Sequence, residues 1–159
     1  MINNRKAIIV GIKSTVLSKK EKLFLNKYKP WGVILFSRNL KKFKQIQKLI
    51  IDIKSMFKDN KYPILIDQEG GTINRLNKLI DTSILTAEFY GNLYKKDKKK
   101  FSNYYRVYIN QISYLLNELG ININTVPVLD LRRLKSSNVI GDRSYSSLAN
   151  NVSIIGDFA

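Results

Sequence analysis

Runs of apolar residues alternate along this chain with stretches in which apolar residues return every three or four positions. Lys6 to Ile12, with the apolar run AIIVGI, reads as a short buried strand ended by Gly11. Ser18 and Glu21 have the spacing of a capping box and open a helix reaching about Tyr28, with Pro30 beyond its end. Gly32 to Phe36, GVILF, is a second all-apolar strand closed by the polar turn Ser37-Arg38-Asn39. Phe43, Ile46, Leu49, Ile50, Ile53 and Phe57 recur at helical spacing with lysines between them. Pro63 to Asp67 makes a third strand. Thr72 to Gly91 reads as an irregular loop, with short helical turns at most.

Phe101, Tyr104, Tyr105, Tyr108, Ile112, Leu115, Leu116 and Leu119 form a second helical stripe, whose aromatics read as core. Gly120 stops that helix. Ile121 to Val128 is a fourth strand, followed by a polar loop from Asp130 to Ser147 and a helix from about Leu148. Strands alternating with helices imply a parallel sheet. Two architectures fit, a small doubly wound sheet and part of a (β/α)8 barrel. A complete barrel takes about 250 residues and eight strands. Four strands in 159 residues therefore make about half of one, and the last residues, GDFA, show no helix stop. The expectation is a single, truncated domain over residues 1–159.

Composition narrows the chemistry. A hydrophobic content of 44% with 11% aromatics places the chain among folded globules. With 28 Lys and Arg against 12 Asp and Glu, the formal charge is +16. That excess would attract a nucleic-acid backbone, but it is scattered over every expected helix and loop. The one dense block, Lys95-Lys96-Asp97-Lys98-Lys99-Lys100, reads as a solvated helix approach. Nucleic-acid binding is therefore not the expected function, and no apolar run is long enough for a membrane span. There is no cysteine and no histidine. Thiolate metal sites, disulfides and the commonest general base are excluded, and neither metal nor cofactor is expected.

The candidate chemistry lies in DQEGGTINR, residues 67–75. Ligands of parallel sheets sit at the carboxyl ends of the strands. Asp67 and Glu69 stand where the third strand ends, and Gly70-Gly71 lets the backbone turn tightly. Arg75, eight residues beyond Asp67, is placed to reach back over the same mouth.

Three segments together resemble the N-terminal part of bacterial β-N-acetylhexosaminidases of glycoside hydrolase family three: GVILFSRN at 32–39, DQEGG with Arg75, and VPVLD at 126–130 followed by IGDRSY at 140–145. Their order and separations match over nearly the whole chain. The resemblance implies the N-terminal half of a (β/α)8 TIM-type barrel in a cytoplasmic enzyme. That enzyme removes terminal N-acetylglucosamine from peptidoglycan-derived muropeptides. It assigns sugar binding to Asp67, Arg75 and Arg143. A carboxylate accepts from two adjacent hydroxyls, and a guanidinium offers donors in a fixed fork. Arg75 has an alternative as a partner of Glu69, and Arg143 as a partner of Asp130 or Asp142, while Glu69 itself reads as structural. The family's histidine acid/base and aspartate nucleophile have no counterpart here, so no catalytic residue is assigned. The implied partners are an N-acetylglucosamine-containing saccharide and the missing C-terminal half of the barrel. A non-catalytic sugar-binding module and, further off, a basic nucleic-acid-binding protein are the other readings.

Overall fold

The computed structural model describes residues 4–133 and 139–159. Four strands, β1 (Lys6–Gly11), β2 (Pro30–Leu35), β3 (Ile64–Ile66) and β4 (Ile123–Asn124), form one parallel sheet in the order β1-β2-β3-β4. Five helices accompany them among the described residues: α1 (Lys19–Tyr28), α2 (Phe43–Met56), α3 (Ala87–Lys96), α4 (Lys98–Leu119) and α5 (Ala149–Phe158). This is the α/β order of a half-barrel. The chain divides into two compact units.

The first unit comprises the chain up to Asp67, Arg75–Ile80 and Leu115–Asn124, and it holds the whole sheet. Its α1 begins as expected: the Ser18 hydroxyl accepts from the Glu21 backbone, and the Glu21 carboxylate returns to the Ser18 N–H. In α2 the buried positions are Ile46, Leu49, Ile50 and Ile53, spaced by three, one and three residues, which makes one helical stripe. Val33, Leu35, Ile64 and Ile66 are fully buried on β2 and β3.

Two expectations need correction in this unit. The first concerns β1, which is an end strand and is not buried: Ile8 and Ile9 are 45% and 47% exposed. An apolar run reports what a strand can bury, not whether an element lies over it. The second concerns β4, which shrinks from Ile121–Val128 to two paired residues. Asn122 takes the Ile64 N–H onto its side chain at 2.8 Å, and Pro127 has no N–H to give a ladder.

The second unit comprises Gln68–Asn74, Asp81–Tyr114 and the chain from Thr125. The third correction falls here. Residues 87–91, the end of the expected loop Thr72–Gly91, belong instead to the helix α3, which the Thr86 hydroxyl caps. Asp97 alone separates α3 from α4, so the lysine block straddles the end of one helix and the start of the next. Tyr90, Tyr94, Phe101, Tyr105, Tyr145, Val152 and Ile155 form the core, in which the Tyr105 and Tyr145 hydroxyls share a hydrogen bond of 2.6 Å. Tyr104 of the expected stripe is instead 57% exposed. Residues 134–138 of the expected loop Asp130–Ser147 lie outside the described residues.

The buried phenols give the fold an alkaline limit. Burial pushes Tyr62 in the first unit and Tyr108 in the second each up to about 12, against about 10 in an unfolded chain. A phenol raised in the folded state stabilises the fold below the unfolded value, and that contribution is lost as pH climbs from about 10 through 12. The urea midpoint is expected to fall across that window as tyrosinate absorbance grows. A midpoint that holds level to its upper end would contradict this.

Candidate functional site

In the first unit, β3 ends at Ile66 and delivers Asp67 to the carboxyl end of the sheet. Arg75 Nη2 lies 3.3 Å from Asp67 Oδ2, and both side chains keep about a quarter of their surface in solvent, 25% and 26%. The Arg75 guanidinium carbon stands 5.4 Å from the centre of the Phe36 ring. Phe36 follows the last residue of β2, so adjacent strands supply these groups from the same sheet end.

In the second unit, Glu69 and Arg143 make a bidentate pair, with Nε donating to Oε2 at 2.9 Å and Nη2 to Oε1 at 2.8 Å. Their side chains are 12% and 24% exposed. The hydrogen bond to Glu69 raises the guanidinium above its ordinary value and outweighs the opposing effect of burial. A second tie joins the same loops, where the Thr72 hydroxyl reaches both oxygens of Asp142 at 3.1 and 3.0 Å. Arg143 and Asp142 sit in a 3-10 turn, Gly141–Arg143, which presents them on one short rigid segment.

Glycines make the Glu69 loop possible. Gly70 and Gly71 have φ of +86° and +57°, a region that costs other residues about 1–2 kcal/mol. A Cβ on Gly70 would also lie 2.5 Å from the Leu85 carbonyl oxygen. Beneath the loop, Gln68 is buried and its amide donates to Asn74 at 3.1 Å and to Thr82 at 3.3 Å. The Arg143 side lines a cavity of about 420 Å³ with Thr72, Glu88, Arg132, Val139, Gly141 and Asp142, and an Arg132–Glu88 ion pair borders it.

The structure therefore brings Asp67 and Arg75 together and gives Arg143 a different acid. The alternative pairings were Arg75 with Glu69, and Arg143 with Asp130 or Asp142. The observed partners are Asp67 for Arg75 and Glu69 for Arg143. Glu69 and Arg143 are 74 residues apart, and no spacing rule reaches that far. Thr72 and Phe36 were not anticipated as contributors, and Asp142, an expected alternative partner of Arg143, instead accepts from the Thr72 hydroxyl. No group of three or more acids able to hold a metal ion occurs among the described residues.

Each unit thus holds one carboxylate–guanidinium pair, Asp67–Arg75 in the first and Glu69–Arg143 in the second, in a chain with the parallel α/β order of a half-barrel. The chain belongs to glycosyl hydrolase family 3: the model of that family's N-terminal domain matches residues 7–158. A β-hexosaminidase of Thioalkalivibrio sulfidiphilus is 26% identical over 152 residues, which is 96% of this chain and 42% of that protein. The native NagZ of Neisseria gonorrhoeae superposes with a TM-score of 0.85 at 24% identity, covering 98% of this chain and 44% of NagZ. The same enzyme in complex with N-trifluoroacetyl-D-glucosamine superposes with a TM-score of 0.81 at 25% identity, covering 98% and 46%. The chain thus spans less than half the length of these relatives. Among the described residues, no helix is long and apolar enough to cross a membrane.

Proposed function

We propose that this chain carries sugar-binding residues of a family 3 β-N-acetylhexosaminidase, one that releases terminal N-acetylglucosamine from peptidoglycan-derived muropeptides in the cytoplasm. Asp67 accepts hydrogen bonds from neighbouring sugar hydroxyls, while Arg75 and Arg143 donate to sugar oxygens. The observation that carries this reading is the Asp67–Arg75 contact at the end of β3. It sets an ionised acceptor and a forked donor 3.3 Å apart, both still open to solvent.

The catalytic step is assigned to residues outside this chain. Retaining hydrolysis sets a nucleophile and a proton donor on opposite sides of the anomeric carbon. The chain contains no histidine. Asp67 and Glu69 lie two residues apart on one loop, each with an arginine at its carboxylate. The remaining strands of the barrel are therefore the proposed partner.

Titration of the chain with N-acetylglucosamine, followed by NMR, tests the assignment. Asp67→Ala is expected to weaken binding roughly tenfold to a hundredfold, the range for losing a hydrogen bond to a charged group. A chromogenic N-acetyl-β-glucosaminide should stay uncleaved until the complementary half-barrel of a relative is added. Equal affinity in the variant, or turnover by this chain alone, would defeat the reading.

A further inference from the structure

The two arginines assigned to the sugar are held in different ways. Arg143 has both Nε and Nη2 engaged by Glu69. Arg75 touches Asp67 through Nη2 alone, at 3.3 Å, longer than the roughly 2.7–2.9 Å of a strong charge-assisted bond. Its Nε is buried and has no hydrogen-bond partner among the described residues. A partly exposed guanidinium so thinly bonded needs something else to fix it.

We propose that Phe36 is the positioning residue for Arg75. The ring stands 5.4 Å from the Arg75 guanidinium carbon and 4.6 Å from that of Arg38. Both lie within the roughly 6 Å over which the negative face of an aromatic ring attracts a cation. For Arg75, which lacks a second bond, the ring is the attractive surface within reach.

The ring is itself anchored. The Phe36 N–H donates to Asn39 Oδ1 at 2.9 Å, and the fully buried Asn39 donates from Nδ2 to the carbonyls of Ile12 and Ser14 at 3.2 and 2.8 Å. Arg38 Nε donates to the Ile12 carbonyl at 2.9 Å. At Gly11 a Cβ would come within 3.1 Å of the Phe36 ring and 3.2 Å of the Arg38 guanidinium. The bare backbone at the end of β1 thus leaves the ring its place.

The consequence concerns ligand exchange. A bidentate pair like Glu69–Arg143 occupies two of the guanidinium's donors and both carboxylate oxygens. A π face orients a guanidinium without consuming its N–H donors, so Arg75 keeps donors for a sugar oxygen. The Asp67–Arg75 contact itself, at 3.3 Å, is longer than a tight charge-assisted bond. This inference rests on the sugar-binding reading of Asp67 and Arg75.

The test uses Phe36→Leu, with Phe36→Met as the variant closer in volume and Phe36→Tyr as the conservative rescue. Each is titrated with N-acetylglucosamine and observed through the Arg75 Nε–H resonance. Leu and Met are expected to weaken binding about fivefold, and Tyr by less than about twofold. In an Arg75→Ala background the Phe36→Leu change should have no further effect, which a general loss of packing would not produce. In the sugar-free chain the resonance should lose its ring-current displacement in Leu and Met and keep it in Tyr. Unchanged affinity in Leu and Met beside a weakened Arg75→Ala would overturn the inference and leave the sugar site standing. An Arg75→Ala chain that binds as the parent does would remove Arg75 from the site, whatever the resonance shows. A resonance indifferent to Phe36 would show that the ring does not hold the guanidinium.

Discussion

Alanine at position 91 is expected to unfold the second unit. Gly91 lies within α3, where exchange of glycine for alanine ordinarily stabilises a helix by about 0.5–1 kcal/mol. Here the added Cβ would fall 1.7 Å from the Tyr145 carbonyl oxygen and 2.6 Å from its carbonyl carbon. Both atoms are backbone, so no rotamer change relieves the overlap. Helix and loop must separate, and a loss of about 3 kcal/mol or more outweighs the propensity gain. Tyr145 lies two residues from Arg143, and its hydroxyl bonds Tyr105 in the core. The same displacement should therefore disturb the arginine turn. Urea denaturation of Gly91→Ala beside Asn92→Ala, an exposed neighbour on the same helix, checks this. Equal midpoints for the two variants would refute it.

Removing Glu69 is the second large effect. Glu69→Ala leaves the Arg143 guanidinium, only 24% exposed, without either of its two bonds. Breaking a fully buried pair costs about 3–5 kcal/mol. Partial exposure lowers the expectation here to about 2 kcal/mol. Arg143→Ala should cost a similar amount, because it strands an acid that is 12% exposed. The double variant should be less destabilised than the two losses added together, since neither charge is then left alone. Strict additivity in denaturant midpoints would show that the pair contributes no coupling. Glu69, which reads as merely structural in the sequence, thereby becomes the residue on which the Arg143 turn depends.

The legible parts of the fold were those in which one local rule decides the outcome. The Ser18–Glu21 box starts α1 because both of its bonds are made within one turn. The stripe from Phe43 gives α2 because its period agrees with the face that is buried. GVILF and PILI fall on the two best-buried strands. The misread parts depend on distant chain. Gly91 looks like the end of a loop, yet it lies inside α3, where the Tyr145 backbone packed against it leaves no room for a Cβ. Ile121 to Val128 looks like a strand, yet the Asn122 side chain takes the Ile64 N–H. At the site, Asp67 and Arg75 are separated by eight residues and their meeting could be anticipated. The partner of Arg143 could not, because Glu69 precedes it by 74 residues, with the helices α3 and α4 between them. The Phe36 ring was hidden for another reason: in a run of apolar residues it reads as core, and only geometry shows cations gathered at it.

The isoleucines that β1 leaves in water bear on how this molecule behaves in solution. Ile8 and Ile9, roughly half exposed, leave apolar surface in water on both faces of β1, while sixteen surplus positive charges hold copies apart. The reach of that repulsion shrinks from about 10 Å at 0.1 M ionic strength to about 3 Å at 1 M. Concentrated electrolyte should therefore drive the protein toward self-association, and dilute buffer should keep it dispersed.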